Sequence, residues 1–333
     1  MFRLLCTCTL LAGYAISAFA ADPPPAVKPD KPAPNPAAKP AAAKPPVPLI
    51  KPTHADVPYG EHKKQVIDFY QAESKDPTPL VFYIHGGGWR GGSKSGASVK
   101  PFLDVGISVV SVEYRFVQEA GDVTPPVKAP LHDAARALQF VRSKAKEWNI
   151  DKTRIGATGG SAGACSSLWL AFHDDLADPK SSDPVAREST RLLCAAVGGA
   201  QTTLDPQQIR EWMPNGTYGG HAFGVVADAA GKLSAFDTFL RDREKLMPWI
   251  KEYSPYELVT SDDPPVGLYY GSAPQMGKET KDPTHSANYG LPLQEKCKSV
   301  GVECELVYSG APDVKHTTAQ AFLIDKLKAK AKE

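Results

Sequence analysis

Arg154-Ile155-Gly156-Ala157-Thr158-Gly159-Gly160-Ser161-Ala162-Gly163 is the stretch on which the reading of this chain turns. Its first half is a short apolar run of strand character. Its second half reads G-x-S-x-G and leads into a run of small residues with helical character. Glycines on both sides of a serine let the backbone reverse tightly between a strand and a helix, leaving the hydroxyl exposed at the turn. A serine hydroxyl is a poor nucleophile at neutral pH. It needs a base within hydrogen-bond reach and donors for the oxyanion that forms when it attacks a carbonyl.

A second glycine run lies upstream. Leu80-Val81-Phe82-Tyr83-Ile84, another strand-like run, precedes His85-Gly86-Gly87-Gly88-Trp89. Backbone N–H groups of that run can be aimed at the serine. Either motif alone is a weak signal. The two together, in this order and each after a strand-like segment, point to nucleophilic chemistry at Ser161. His85 is read as shaping its loop, because a base there would sit on the oxyanion side of the serine.

With these motifs the chain resembles the α/β-hydrolase superfamily, in particular the HGGG-type esterases related to hormone-sensitive lipase, acetyl-xylan esterases and feruloyl esterases. The resemblance runs from about residue 63 to the C-terminus. It implies a mostly parallel central sheet with helices on both faces and a cap insertion before the penultimate strand. It also implies the chain order oxyanion loop, serine, acid, histidine. Carried over residue by residue, Ser161 is the nucleophile, and Gly87, Gly88 and Ala162 supply the oxyanion N–H groups, with Gly86 as the alternative in the loop. The base falls on His316, in Asp313-Val314-Lys315-His316-Thr317, just after the last strand. Of the other histidines, His54, His62, His173, His221 and His285 are assigned to the tether, outer segments or loops, and His132 to a structural helix start.

The acid departs from the family pattern. Where the family carries H-G-x-x-D, this chain has Tyr269-Tyr270-Gly271-Ser272-Ala273-Pro274, with no aspartate at the expected distance. The next is Asp282, in Lys281-Asp282-Pro283-Thr284-His285-Ser286, which resembles the family's D-x-x-V-P segment with an insertion ahead of it. Asp282 is therefore expected to orient His316, with Asp313 in reserve and Asp133 read as a helix N-terminal carboxylate.

Strand and helix patterns alternate through the rest of the chain, which argues for α/β architecture. Strands are expected over residues 64–70, 80–84, 107–112, 192–197, 266–270 and 303–308, with helices over 131–148, 286–300 (closed by Gly301) and from 317 onward. Residues 203–253 carry no strand signal and are read as the cap-like insertion. Its aromatics Trp212, Tyr218, Phe223, Phe236 and Trp249 are candidate pocket wall. Trp89 is placed beneath the oxyanion loop or at the pocket mouth, and Trp89 and Trp212 are named as substrate-binding.

The 333 residues carry a formal net charge of +1, which gives no electrostatic case for nucleic acid. Met1-Phe2-Arg3, an apolar stretch over 4–16 and Ala18-Phe19-Ala20 read as a signal peptide, assigned to 1–21. Export to the periplasm or the extracellular space is the expectation. Residues 22–53 are almost wholly proline, alanine and lysine and read as a disordered, extended tether, leaving 54–333 for one hydrolase domain. In an oxidising compartment Cys165, Cys194, Cys297 and Cys304 could form two disulfides; buried free thiols are the equal alternative. No metal or organic cofactor is called for. The expected activity is ester hydrolysis through an acyl-enzyme, on carbohydrate-linked acetyl or feruloyl esters. The alternatives are a small-ester carboxylesterase or lipase, a kynurenine-formamidase-like amidase (His85 to Trp89 fits H-G-G-x-W), and a non-catalytic hydrolase-fold binding protein.

Overall fold

A computed structural model describes residues 50–329, so the expected signal peptide and all but the end of the expected tether lie outside the described residues. At its centre is an eight-stranded sheet. β1 (His54–Pro58) pairs antiparallel with β2 (Val66–Tyr70), and β2 pairs antiparallel with β4 (Ser108–Val112). From there every pairing is parallel, through β3 (Thr78–Ile84), β5 (Ile150–Gly160), β6 (Cys194–Gly198), β7 (Val266–Tyr269) and β8 (Cys304–Val307), in the spatial order β1-β2-β4-β3-β5-β6-β7-β8. This is the strand order of the α/β-hydrolase fold.

The sheet is covered on both faces, as its buried strands require. Side chains alternate along β3: Leu80, Phe82 and Ile84 join one core, while Val81 joins the other. The smaller core lies under α1 (Lys100–Leu103) and α8 (Ala319–Lys328), the larger under α2 (Lys128–Ser143), α3 (Ala162–Phe172) and α7 (Gly290–Val300). All eleven residues of α3 are buried. A helix made of alanine, glycine, serine and large apolar residues has no polar face to give to water, so it must be enclosed on every side. The insertion between β6 and β7 helps to enclose it. That segment contains α4 (Pro206–Trp212), a 3-10 turn at Gly220–Phe223, α5 (Ala235–Tyr253) and α6 (Pro255–Leu258), and no strand. Trp169 of α3 donates its indole N–H to Glu252 O in α5, and Asp205, which caps α4, is gripped by Arg243 of α5 at 2.6 and 2.7 Å.

Register decides where chemistry can happen. Ile84 stands opposite Gly159 and Gly160 opposite Gly198, so β3, β5 and β6 end side by side. The His85 loop, the Ser161 turn and Gly199 therefore meet at the carboxyl edge of the parallel strands, the usual place for a site in such sheets.

Some boundaries differ from the sequence expectation. β1 was not foreseen, because its residues are mostly exposed and carry no apolar alternation; pairing with β2 holds it. Thr53 is already tied in, its N–H donating to Phe69 O. The helix expected from 286 starts only at Gly290, because Ser286 and Asn288 are engaged in turn contacts, though Gly301 does close it in the left-handed conformation at φ 85°. The four described cysteines are free thiols.

Candidate active site

Ser161 stands between β5 and α3 with φ 55° and ψ −125°, a conformation that a residue with a Cβ holds only under constraint. Its N–H donates to Gly198 O at 3.0 Å and its carbonyl accepts from Cys165 N at 3.0 Å. The flanking glycines are needed for close approach. A Cβ on Gly159 or Gly163 would drive into Ile84 O, the last carbonyl of β3. The G-x-S-x-G spacing therefore lets the end of β3, and the loop it feeds, lie against the serine turn.

That loop is the His85–Trp89 run. A Cβ built on Gly86 would sit 3.3 Å from Ser161 Cβ, so the two motifs do converge. Gly87 and Gly88 have φ of 109° and 62°, open to glycine without strain. Among the described residues, the N–H groups of Gly87 and Gly88 find no protein acceptor. Ala162 opens α3, where a helix leaves its first N–H groups unpaired. His85 is buried under this loop, its Nδ1 2.8 Å from Gly86 O and its ring stacked on Tyr114 at 4.2 Å. Tyr114 OH donates to His85 O at 2.7 Å. His85 is a scaffold for the turn.

The histidine that meets the serine is His285. Ser161 Oγ lies 3.0 Å from His285 Nε2, and His285 Nδ1 lies 2.8 Å from Asp282 Oδ2. An ionised carboxylate can only accept, so Nδ1 carries the proton and Nε2 is left as the acceptor for the serine O–H. Acid and base share one 3-10 turn, Pro283–His285, which Asp282 also caps through Oδ1 to the His285 N–H at 3.3 Å. Proline in the first position of that turn presets its φ. The hydrogen bond from His285 holds the Asp282 carboxyl below the usual carboxylate range, against the opposing effect of burial. Both side chains are open to water, 42% exposed for His285 and 63% for Asp282.

Buried polar groups hold the turn in place. Gln201, wholly buried, donates its amide to Thr284 O at 2.6 Å and to Gly199 O at 3.0 Å. Gly199, at φ 57°, lies directly beneath the imidazole: a Cβ there would be 3.2 Å from His285 Cβ and Cδ2. Asn288 bonds Gln275 N, Gln275 O and Trp212 O, joining the loop after β7 to the end of α4.

The expectation for His316 is corrected. Its Nδ1 lies 2.7 Å from Glu305 Oε1 on β8, its Nε2 3.2 Å from Asp325 Oδ2 on α8, and its ring meets Phe322 edge-on. Tyr269 OH donates to its carbonyl at 3.2 Å. Both ring nitrogens face carboxylates between β8 and α8, so neither is available to Ser161. Asp282 accordingly orients His285, not His316. Asp313 stands exposed on the loop ahead of His316, at φ 51°. Asp133 is no simple helix-end carboxylate: it is buried in α2 and forked by Arg115 at 2.7 and 2.9 Å.

Trp89, expected at the substrate, is fully buried, with its indole N–H on Ser166 Oγ at 3.0 Å; of its two expected places it takes the one beneath the loop. Trp212 is partly exposed and packs edge-on against Tyr256 and Tyr289, where it braces the segment behind His285. Phe223 and Phe236 are buried in the cap's own packing against Phe239, not in a pocket wall. Sequence reasoning missed His285, Gln201, Gly199 and Asn288. A signal for His285 was present in Asp282-Pro283-Thr284-His285: an Asx-Pro turn places side chains i and i+3 together.

An α/β-hydrolase sheet with a strained serine at the β5–α3 turn, a histidine on its hydroxyl and an aspartate on that histidine defines the class. The chain belongs to the BD-FAE family, whose model matches residues 67–279. The match takes in both glycine motifs and ends just before Asp282, so the histidine turn lies outside it. The chain is similar to the probable carboxylic ester hydrolase LipM of Mycobacterium tuberculosis, 30% identical over 149 residues, 42% of this chain and 32% of LipM. It is also similar to the kynurenine formamidase of Danio rerio, 43% identical over 90 residues, 26% of this chain and 30% of that enzyme. The chain thus spans about a third of the length of these curated relatives. Among solved structures, the acetyl ester-xyloside bifunctional hydrolase from Caldicellulosiruptor lactoaceticus superposes with a TM-score of 0.57 at 23% identity, over 78% of this chain and 86% of that one.

Proposed function

We propose that this protein is a serine hydrolase of carboxylic esters that works through an acyl-enzyme, with Ser161 as nucleophile, His285 as base and Asp282 as its orienting acid. The observation that carries the reading is the 3.0 Å contact between Ser161 Oγ and His285 Nε2. His285 Nε2 takes the hydroxyl proton as Oγ bonds to the ester carbonyl carbon. The carbonyl oxygen becomes an oxyanion facing the N–H groups of Gly87, Gly88 and Ala162. The proton then passes from Nε2 to the departing alkoxide. Water, deprotonated by the same nitrogen, releases the acid and restores the serine. Each oxyanion donor is worth roughly a hundred- to a thousandfold in rate.

For the substrate we propose carbohydrate-linked acetyl or feruloyl-type esters. The likeness to the Caldicellulosiruptor acetyl ester-xyloside hydrolase supports this, and the N-terminal residues 1–53, read as an export signal and tether, suit a polymeric substrate outside the cell. A second reading, amide hydrolysis of the formamidase kind, is favoured by the Danio rerio similarity and the shared H-G-G-x-W pattern. A panel of p-nitrophenyl acetate, butyrate and octanoate, acetylated xylan, methyl ferulate and N-formylkynurenine separates these. Deacetylation of xylan with little octanoate turnover is the expected result. Preference for the formyl amide would overturn it, and no turnover of any ester together with no fluorophosphonate labelling of Ser161 would reduce the chain to a binding protein.

A further inference from the structure

Every carbonyl along the oxyanion loop is held by a donor. His85 Nδ1 lies 2.8 Å from Gly86 O, Arg90 N–H donates to Gly87 O at 3.0 Å, His221 Nε2–H to Gly88 O at 3.0 Å, and Val117 N–H to Trp89 O at 2.8 Å. A trans peptide is planar, with its C=O and N–H opposed. Each of the first three bonds therefore turns one N–H to the other side: that of Gly87, then Gly88, then Trp89. Of these donors only His221 comes from the insertion between β6 and β7.

Gly88 is the residue that needs such a hold. It lacks a Cβ and sits at φ 62°, so its own chemistry leaves φ and ψ free. A Cβ there would meet only His221 Nε2, at 3.7 Å. The Arg90 bond fixes the peptide before Gly88 and the His221 bond fixes the peptide after it. His221 is itself anchored. It lies in the 3-10 turn Gly220–Phe223, whose Ala222 O accepts the N–H of Val127 at 2.9 Å, and Tyr218 meets its ring edge-on at 5.0 Å. Burial, with Arg90 nearby, pushes the imidazole down to about 4, so the ring is neutral at neutral pH and carries its proton on the nitrogen facing Gly88 O.

We propose that His221 is a positioning residue for the oxyanion hole. It reaches from the cap-like insertion to fix the Gly88–Trp89 peptide, so that a movement of the insertion is a movement of the hole. Its kinetic consequence rests on the esterase reading; the contact does not. The test compares wild type, His221→Ala and His221→Gln, the last retaining a side-chain N–H donor, by kcat and KM on p-nitrophenyl acetate and by amide hydrogen exchange of the peptide covering residues 85–92.

In His221→Ala, kcat falls roughly 10- to 100-fold with KM within about twofold, because Gly88, with the peptide after it released, no longer holds its N–H on the oxyanion, a contact that acts in the transition state and not in the ground state. Exchange of the 85–92 peptide rises about tenfold or more as the loop loosens. His221→Gln recovers most of both. Unchanged exchange in His221→Ala, a rise in KM at constant kcat, or a glutamine variant as impaired as the alanine one each overturns the proposal. A wild type inert toward esters would sink the esterase reading, and the exchange arm would still decide the contact.

Discussion

Replacing Asp282 by Asn separates the charge of the triad acid from its shape. Asparagine can still offer its carbonyl oxygen to His285 Nδ1–H by giving up the 3.3 Å cap that Asp282 Oδ1 accepts from the His285 N–H; the larger loss is the negative charge 2.8 Å from Nδ1 as the imidazole becomes cationic in the transition state. Two unit charges about 4 Å apart attract by about 1 kcal/mol in bulk water and about 4 kcal/mol at an effective dielectric constant near 20. With Asp282 63% and His285 42% exposed, solvent screening puts this pair toward the watery end. About 1 to 2.5 kcal/mol is then lost, or roughly 5- to 70-fold in kcat. A buried acid of the same kind is worth ~10⁴. Steady-state turnover of p-nitrophenyl acetate at pH 8, in low and high salt, reads the difference. A fall of ~10⁴ or more would refute the reasoning and mean that the pair is shielded from water during turnover. Turnover equal to wild type would remove Asp282 from the site.

Further consequences follow from the same geometry. Because the His285 hydrogen bond lowers the Asp282 pKa, the stabilisation from that contact is complete above the unfolded value of about 3.9 and is lost as pH falls through the lower folded value. A carbon-13 titration of the Asp282 carboxyl should therefore show a midpoint below about 3.9, and a midpoint at or above it would contradict the contact. Gly163→Ala places a methyl group against Ile84 O and His85 O, both backbone atoms that cannot step aside, and should cost about 3 kcal/mol in urea denaturation. A loss under about 0.5 kcal/mol would show that the β3–elbow approach is looser than described. His316→Ala removes the contacts to Glu305 and Asp325 and should lower stability by about 1 to 3 kcal/mol, seen as a lower urea midpoint. An unchanged midpoint would mean that those contacts contribute nothing.

The central strands were legible because they are apolar enough to be buried on both faces, and the serine elbow because only glycine fits at Gly159 and Gly163. The cap was legible as a break in the alternation between β6 and β7. The base was not, for a physical reason. His316 lies where the resemblance puts a triad histidine, and nothing local in its sequence tells that Glu305 and Asp325 occupy both its nitrogens. Those partners come from β8 and α8 and meet it only through the fold. The Asp282–His285 pair, by contrast, is local. Its turn was read for the acid alone, although the histidine stands only three residues further on. Trp89 shows the same limit, since an aromatic beside a glycine loop reads alike whether it faces substrate or, as here, Ser166 in the core.

Which imidazole takes the proton of Ser161 is the central question, and two alanine variants assayed side by side decide it. His285→Ala should lower kcat on p-nitrophenyl acetate by ~10⁴ or more, while His316→Ala stays within about threefold of wild type at a temperature where both are folded. Collapse of turnover in His316→Ala with His285→Ala near wild type would contradict this assignment and return the base to the loop after β8.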